Sequence, residues 1–128
     1  MSAVHRFKGD RSSNDYAWEG VDPLLIHTDE VQGVIKNVLV GPQDGAPNFV
    51  IRYFHVPIGD NTFFDQHTHE HGIVILHGKA KVQIGDDFHE LGPLDSVFIS
   101  GNDIHQLVNI GDEPLGFMCV ITREAAGA

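Results

Sequence analysis

Turn-forming residues interrupt this chain so often that a long helix has no room beyond its first quarter. From Gly33 onward, every window of about a dozen residues contains a glycine, a proline or an Asn/Asp turn signal, which ends a helical pattern before it is established. Short β-forming runs lie between the turns, and such spacing is typical of a β-sandwich or small barrel. Nine strands are predicted, over residues 34–40, 49–56, 63–71, 73–77, 79–84, 88–91, 96–99, 104–109 and 116–122.

Length and composition narrow the class of protein. A chain of 128 residues can bury the core of one domain without covalent staples. Its single cysteine, Cys119, excludes an internal disulfide and is typical of a reducing compartment, so we expect a cytoplasmic protein. Eighteen acidic residues against eight basic ones give a formal net charge of −10, which argues against a nucleic-acid partner. No apolar run approaches the roughly 20 residues needed to cross a bilayer, so no membrane partner is expected.

The chain is expected to form one domain with loose ends. The barrel is predicted over residues 18–123, after a flexible arm over 1–17 and before a tail over 124–128. The first thirty residues are irregular but contain Trp18 and the apolar residues 24–26. Large apolar side chains are costly to expose, so we expect these to cover an edge or end of the barrel, or to lie at a subunit interface.

Histidines are concentrated in one short segment. Asp65, His67, His69 and His71 occupy every second position of the predicted strand 63–71, and in an extended strand their side chains would share one face. His105 follows a Gly-Asn-Asp turn on a different predicted strand. Imidazole is the commonest protein ligand for transition metals. The spacing therefore predicts one metal centre held from two strands, the alternative being an adventitious surface chelate.

The remaining histidines are assigned simpler roles. His77 ends the apolar run 73–76, where a polar position on the rim of the barrel is expected. Glu70 adjoins the predicted ligands and is a candidate general base, but strand alternation favours an orientation into solvent. The isolated histidines are assigned surface or packing roles: His5, His27, His55 and His89.

The histidine segment resembles the first motif of the cupin family. That motif runs Gly, five residues, His-x-His, three or four residues, Glu, six residues, Gly, and this chain fits its spacing without a gap from Gly59 to Gly78. In the second motif, His105 and Asn109 match the histidine and asparagine. Three motif positions differ, where Leu94, Ser100 and Asn102 stand for Gly, Pro and Gly. The resemblance covers roughly residues 18–123 and implies an all-β fold, a single jelly-roll barrel with an irregular N-terminal segment.

The resemblance leaves the fourth metal ligand open. In the gapless register, Asp65 stands at the first motif histidine and His71 at the motif glutamate, so the ligands are Asp65, His67, His71 and His105. A shifted register takes His67-Thr-His69 as the His-x-His pair and replaces Asp65 by His69. Either set implies one divalent transition metal ion, which could be Fe, Mn, Ni, Co, Cu or Zn.

The resemblance also implies a pocket and a range of chemistry. Phe117, Cys119 and Ile121 alternate along the last predicted strand, which in similar cupins forms part of the pocket wall, so Cys119 would be an inward thiol or a small buried hydrophobe. Either Arg52 or Tyr53 can face the cavity, but not both, and an inward arginine would suggest a carboxylate-bearing substrate.

Two functions are compatible with these features. One is a metal-dependent enzyme of the dioxygenase or isomerase/lyase type that acts on a small polar organic substrate. The other is a small-molecule or metal-binding module without turnover. For either function the resemblance implies a homodimer.

Overall fold

Two antiparallel β-sheets pack face to face around one core. The computed structural model describes residues 2–127. Its strands are β1 (Leu24–His27), β2 (Gln32–Val40), β3 (Phe49–Val56), β4 (His71–His77), β5 (Ala80–Ile84), β6 (Asp87–Leu91), β7 (Ser96–Ile99), β8 (His105–Asn109) and β9 (Leu115–Thr122). The larger sheet has the order β1-β2-β3-β9-β4-β7 and the smaller sheet β6-β5-β8. Two single-turn 3-10 helices span Arg11–Ser13 and Pro42–Asp44.

The all-β prediction is confirmed. The sheets pack in a jelly-roll arrangement, although their strands do not form one continuously hydrogen-bonded barrel. Inward side chains from both sheets form a single core, which includes Ile73, Ile75 and Phe117 of the larger sheet and Val82 and Leu107 of the smaller one. None of the helices within residues 2–127 is long and apolar enough to cross a membrane.

The prediction of a strand over residues 63–71 is wrong, because the structure has no strand between β3 and His71. Strand β4 begins only at His71, and the preceding segment contacts β8 through two isolated bridges, Asn61–Val108 and Asp65–His105. The backbone N–H groups of Asp65 and His105 donate to each other's carbonyl oxygens at 3.0 and 2.9 Å. Although no continuous ladder holds this segment, its side chains still alternate. As predicted, every second one faces the same space, the cavity lined by Phe63, Asp65, His67, His69 and His71, while the residues between them are exposed.

The apolar residues 24–26 belong to an edge strand that the turn pattern did not predict. Strand β1 pairs with β2 and lies at the edge of the larger sheet. Leu24 and Leu25 remain 54% and 63% exposed. This strand therefore covers the edge of β2, but a single copy of the chain leaves Leu24 and Leu25 exposed.

The N-terminal residues fold into a small hairpin. Isolated bridges join Phe7 to Trp18 and Asp10 to Asp15, and the ring of Tyr16 stacks on that of Tyr53 at a centroid distance of 5.2 Å. Trp18 packs on Tyr53 as well, at 5.1 Å. The hairpin therefore covers part of the outer face of the larger sheet. The mobility predicted for residues 1–17, and the domain boundaries at 18 and 123, stay predictions, and Met1 and Ala128 lie outside the described residues.

Candidate metal centre

The predicted site residues all line the main cavity. This cavity has a volume of about 410 Å³, and its wall is formed by the inner faces of β2, β3, β4 and β9, by the segment before β4 and by the start of β8. The alternation of strand residues places every second side chain toward this space. All five predicted ligands line it: Asp65, His67, His69, His71 and His105.

Three histidines form the centre of the cluster. One ligand atom from each of His67, His69 and His71 lies within 4.8 Å of the others. His71 opens β4 and is buried, whereas His67 and His69 are half-buried in the preceding segment. This segment is held against the turn before β8, where a Cβ atom on Gly101 would lie only 2.5 Å from the Thr68 carbonyl oxygen. Glycine at position 101 therefore permits the close approach that positions two of the histidines.

His105 brings a fourth imidazole from the opposite sheet. Its ring centroid lies 5.1 Å from that of His67 and 4.8 Å from that of His71. Its Nδ1–H donates to the carbonyl oxygen of Asp103 at 2.9 Å, because a carbonyl can only accept. That bond fixes the tautomer and leaves the lone pair of Nε2 free, an arrangement common among metal-binding histidines.

Asp65 lies at the edge of the cluster. Its Oδ2 is 3.5 Å from Nε2 of His67, and its side chain is not part of the group of three. The two bridging backbone bonds to His105 place it beside that residue. Both ligand sets considered from the sequence are thus present at the cavity, with the imidazoles of His67, His69 and His71 the more closely grouped.

The donors fit a transition metal ion. Nε2 of His71 is buried without a hydrogen-bond partner within residues 2–127, while its Nδ1 contacts the Cys119 sulfur at 3.2 Å. Burial, followed by the electrostatic influence of the neighbouring His105 and Arg52 side chains, lowers the pKa of His71 to about 3. A neutral imidazole with an unshared lone pair is a competent metal ligand, and a set of imidazoles suits Zn, Cu, Fe or Ni better than Mg or Ca.

Cys119 and Arg52 adjoin the histidines. Cys119 points inward from β9, as predicted, and accepts a hydrogen bond from Nη2 of Arg52 at 3.1 Å. Burial raises the pKa of the Cys119 thiol, although Arg52 opposes the shift. The thiol is therefore protonated at neutral pH. Arg52 lines the cavity and Tyr53 packs on the opposite face, which confirms that only one of the two faces inward.

Sequence reasoning missed Lys36, which lies near the site, and misplaced His77, which lies at the other end of β4. Lys36 of β2 also lines the cavity, and its place opposite Phe54 in the sheet could have been found only with the pairing of the strands known. His77 was predicted at a polar rim but is buried at 7% exposure. The Tyr53 hydroxyl donates to its Nε2 at 2.7 Å, and its Nδ1–H donates to the Pro114 carbonyl at 2.8 Å. That prediction is wrong because the N-terminal hairpin covers this end of β4.

Comparisons with known proteins agree with the fold. The family model described as the Cupin domain, Cupin_2, matches residues 52–121. A curated relative, 1-methylthio-D-xylulose 5-phosphate methylsulfurylase of Rhodospirillum rubrum, is 33% identical over 115 residues, which is 87% of this chain and 72% of the relative.

Solved structures superpose closely on this chain. A cupin-2 domain protein from Rhodospirillum rubrum has a TM-score of 0.78 and 31% identity, and the match covers 91% of this chain and 77% of that one. A cupin 2 conserved barrel domain protein from Rhodopseudomonas palustris has a TM-score of 0.78 and 26% identity, over 94% and 80% of the two chains. The polyketide cyclase RemF from Streptomyces resistomycificus, at 24% identity, has a TM-score of 0.77 over 96% and 80% and shares the fold alone.

Proposed function

The chain belongs to the cupin family, and from this premise we propose that it is a metal-dependent enzyme acting on a small polar organic molecule. The observation that carries the proposal is the buried Nε2 of His71, which has no hydrogen-bond partner within the described residues and lies in a cluster of imidazoles on a cavity wall. Buried polar atoms are almost always paired in native proteins. A cluster of imidazoles that leaves such an atom free is suited to binding a metal ion.

The residues that would hold the ion are His67, His69, His71 and His105. Asp65 is the alternative to His69, and the metal affinities of the His69→Ala and Asp65→Ala variants distinguish the two. When bound, a divalent transition ion would supply Lewis-acid polarisation of a substrate oxygen and a template for binding it.

The side chains of the protein itself shape the rest of the site. The walls contributed by Val50, Phe117 and Ile121 are apolar, and apolar surroundings strengthen electrostatic interactions within the cavity. The protonated thiol of Cys119 separates His71 from Arg52 and contacts both. It thereby holds the guanidinium group close to the imidazoles while adding no negative charge of its own.

The relative's name supports an enzyme rather than a binding module. The Rhodospirillum rubrum protein is named as acting on a phosphorylated sugar that bears a methylthio group. We take from this name a substrate class only, a small and oxygen-rich organic molecule, which a cavity of about 410 Å³ is large enough to contain. The reaction type is proposed as isomerase/lyase or dioxygenase.

Turnover by metal-loaded protein tests the proposal. Protein purified without a nickel column is stripped with a chelator and reloaded with single metals. It is then offered diketones, catechols, oxalate and phosphorylated keto-sugars, with oxygen uptake and product formation both followed. Conversion without oxygen uptake would indicate an isomerase or lyase, and conversion with uptake a dioxygenase.

The His105→Ala variant is the control, and we expect it to lose turnover. Stoichiometric metal binding with no conversion of any compound would favour the non-catalytic module.

A further inference from the structure

Two positively charged side chains share the inner face of the larger sheet. Lys36 of β2 lies opposite Phe54 of β3, and Val38 lies opposite Arg52, so Lys36 and Arg52 are diagonal neighbours on that face. Diagonal neighbours in an antiparallel pair are close enough for long side chains to meet. Both residues are half-buried, and both line the cavity that contains the histidine cluster.

Neither cation is paired with an acidic side chain. In residues 2–127, the carboxylates within ion-pairing distance of a basic side chain are those of Asp44, beside His5, and of Asp65, beside His67. A chain with 18 acidic and 8 basic residues could easily have supplied carboxylate partners. Two basic groups without such partners inside a cavity therefore indicate that the negative charge is to come from a ligand.

The guanidinium group of Arg52 is fixed in place with donors to spare. Nη2 donates to the Cys119 sulfur, and the group packs over the Phe54 ring at 4.9 Å. Its Nε is buried without a hydrogen-bond partner among the residues described. Arginine carries five N–H donors in a rigid fork that matches a carboxylate or phosphate group. Arg52 is thus held on one side by sulfur and aromatic contacts while other donors are left for an acceptor.

The pKa of Lys36 supports the view that its ammonium group lacks a counter-charge. Burial, and then the neighbouring charge of Arg52, lower the pKa of its ammonium group. The two cations therefore repel each other on this face of the sheet, and a bound anion would relieve both the repulsion and the loss of solvation.

We propose that Lys36 and Arg52 form an oxyanion-binding subsite, which takes the carboxylate or phosphate group of the substrate while the rest of the molecule reaches the histidine cluster. This inference rests on the proposed function, because it names the class of molecule that the site would accept. The sulfur of Cys119 touches both Arg52 and His71, so the subsite adjoins the cluster directly. The substrate is then a short molecule with an anionic group close to its reacting atoms.

Binding of simple anions to metal-free protein tests the subsite without any turnover. Inorganic phosphate and acetate are titrated separately by calorimetry into chelator-treated protein at low salt. We expect saturable binding of at least one of them, with affinity reduced at least tenfold in Lys36→Met and in Arg52→Met. Tighter binding of phosphate would indicate a phosphorylated substrate, and tighter binding of acetate a carboxylate one.

Matched variants control for charge and for folding. Lys79→Met and Arg11→Met remove the same charges from exposed positions and should leave anion affinity unchanged. Arg52→Met also removes the contact with Cys119, so Lys36→Met, which removes no hydrogen bond seen in residues 2–127, keeps the test valid if Arg52→Met fails to fold. Saturating anion should raise the unfolding temperature of the wild type and not that of Lys36→Met.

Two outcomes would overturn the inference: no saturable binding of either anion, or equal affinity in the wild type and Lys36→Met. Since no metal and no reaction are involved, neither result would count against the metal-dependent enzyme.

Discussion

The two ends of strand β4 carry histidines that look alike by burial and differ in their hydrogen bonds. His71 and His77 are 8% and 7% exposed, and burial lowers the pKa of each. Both ring nitrogens of His77 have partners, the Tyr53 hydroxyl and the Pro114 carbonyl. Nε2 of His71 has none within residues 2–127. Burial alone therefore does not distinguish these two histidines, whereas their hydrogen bonds and their neighbours do, since the free Nε2 of His71 lies in a cluster of imidazoles.

The largest expected difference between the two ends is in metal affinity. His105→Ala removes the imidazole that faces His71 from the other sheet, and we expect metal affinity to fall by about 100-fold or more, since even partners behind the ligands contribute 10- to 100-fold. The matched change at the other end, His77→Ala, should leave affinity within about threefold. Metal content after dialysis and competition with a chelator measure both.

If His105→Ala retained one ion per chain, the segment from His67 to His71 would be a surface chelate. The unpaired Nε2 of His71 would then not mark a metal site shared between the two sheets.

The identity of the fourth ligand is the next largest effect. Because the ligand atoms of His67, His69 and His71 are grouped within 4.8 Å, we expect His69→Ala to weaken metal binding at least tenfold. Asp65→Ala should change it by less than threefold. The reverse ranking, measured by the same competition assay, would assign the fourth position to Asp65.

At the structural end of β4, the expected effect is on stability. Tyr53→Phe leaves Nε2 of the buried His77 without its donor, which should cost about 1–2 kcal/mol in the free energy of unfolding. Metal affinity should not change. Tyr16→Phe is the control, because its hydroxyl has no side-chain partner in the described part of the chain although its ring stacks on Tyr53. Urea denaturation compares the two, and equal losses would show that the Tyr53–His77 bond contributes nothing specific.

The smallest expected effect is a pH dependence. Burial holds the pKa of His77 below its usual value of 6.5, so the unfolded chain binds more protons than the folded one in mildly acidic solution. Stability should therefore fall as pH drops below about 6.5, with a slope of at most about 1.4 kcal/mol per pH unit for each such histidine. His77→Gln cannot titrate, and its stability between pH 5 and 7 should fall less steeply than that of the wild type. Identical slopes in urea denaturation would contradict this role.

The sequence predicted well those features that depend on neighbours along the chain. Turn residues bound β3 and β7 at the predicted positions, because glycines and prolines act locally. The pattern around His71 and the distant His105 indicated a shared site because it resembles a known motif. The spacing alone left Asp65 and His69 open, since the choice depends on how the segment before β4 bends.

Features that depend on distant contacts could not be predicted. Phe63 and Phe64 favour a strand, but a strand requires a continuous partner, and this segment meets β8 only at isolated bridges. His77 was predicted at a polar rim because no residue near it in sequence indicates the N-terminal hairpin that covers it. Lys36 became notable only beside Arg52, through the pairing of β2 with β3.

The position of β9 has a consequence for the order in which the molecule assembles. β9 lies between β3 and β4 in the larger sheet, although five strands separate it from β3 along the chain. During synthesis on a ribosome, β3 and β4 emerge before β9. Each of them then has one edge without a hydrogen-bonded neighbour, because the strand that carries Cys119 has not yet been made. Pairing across such a distance is slow, because loop closure precedes any gain from contacts. A newly made chain therefore passes through a period when its apolar strands can pair with other chains, and conditions that shorten this period should improve the yield of folded protein.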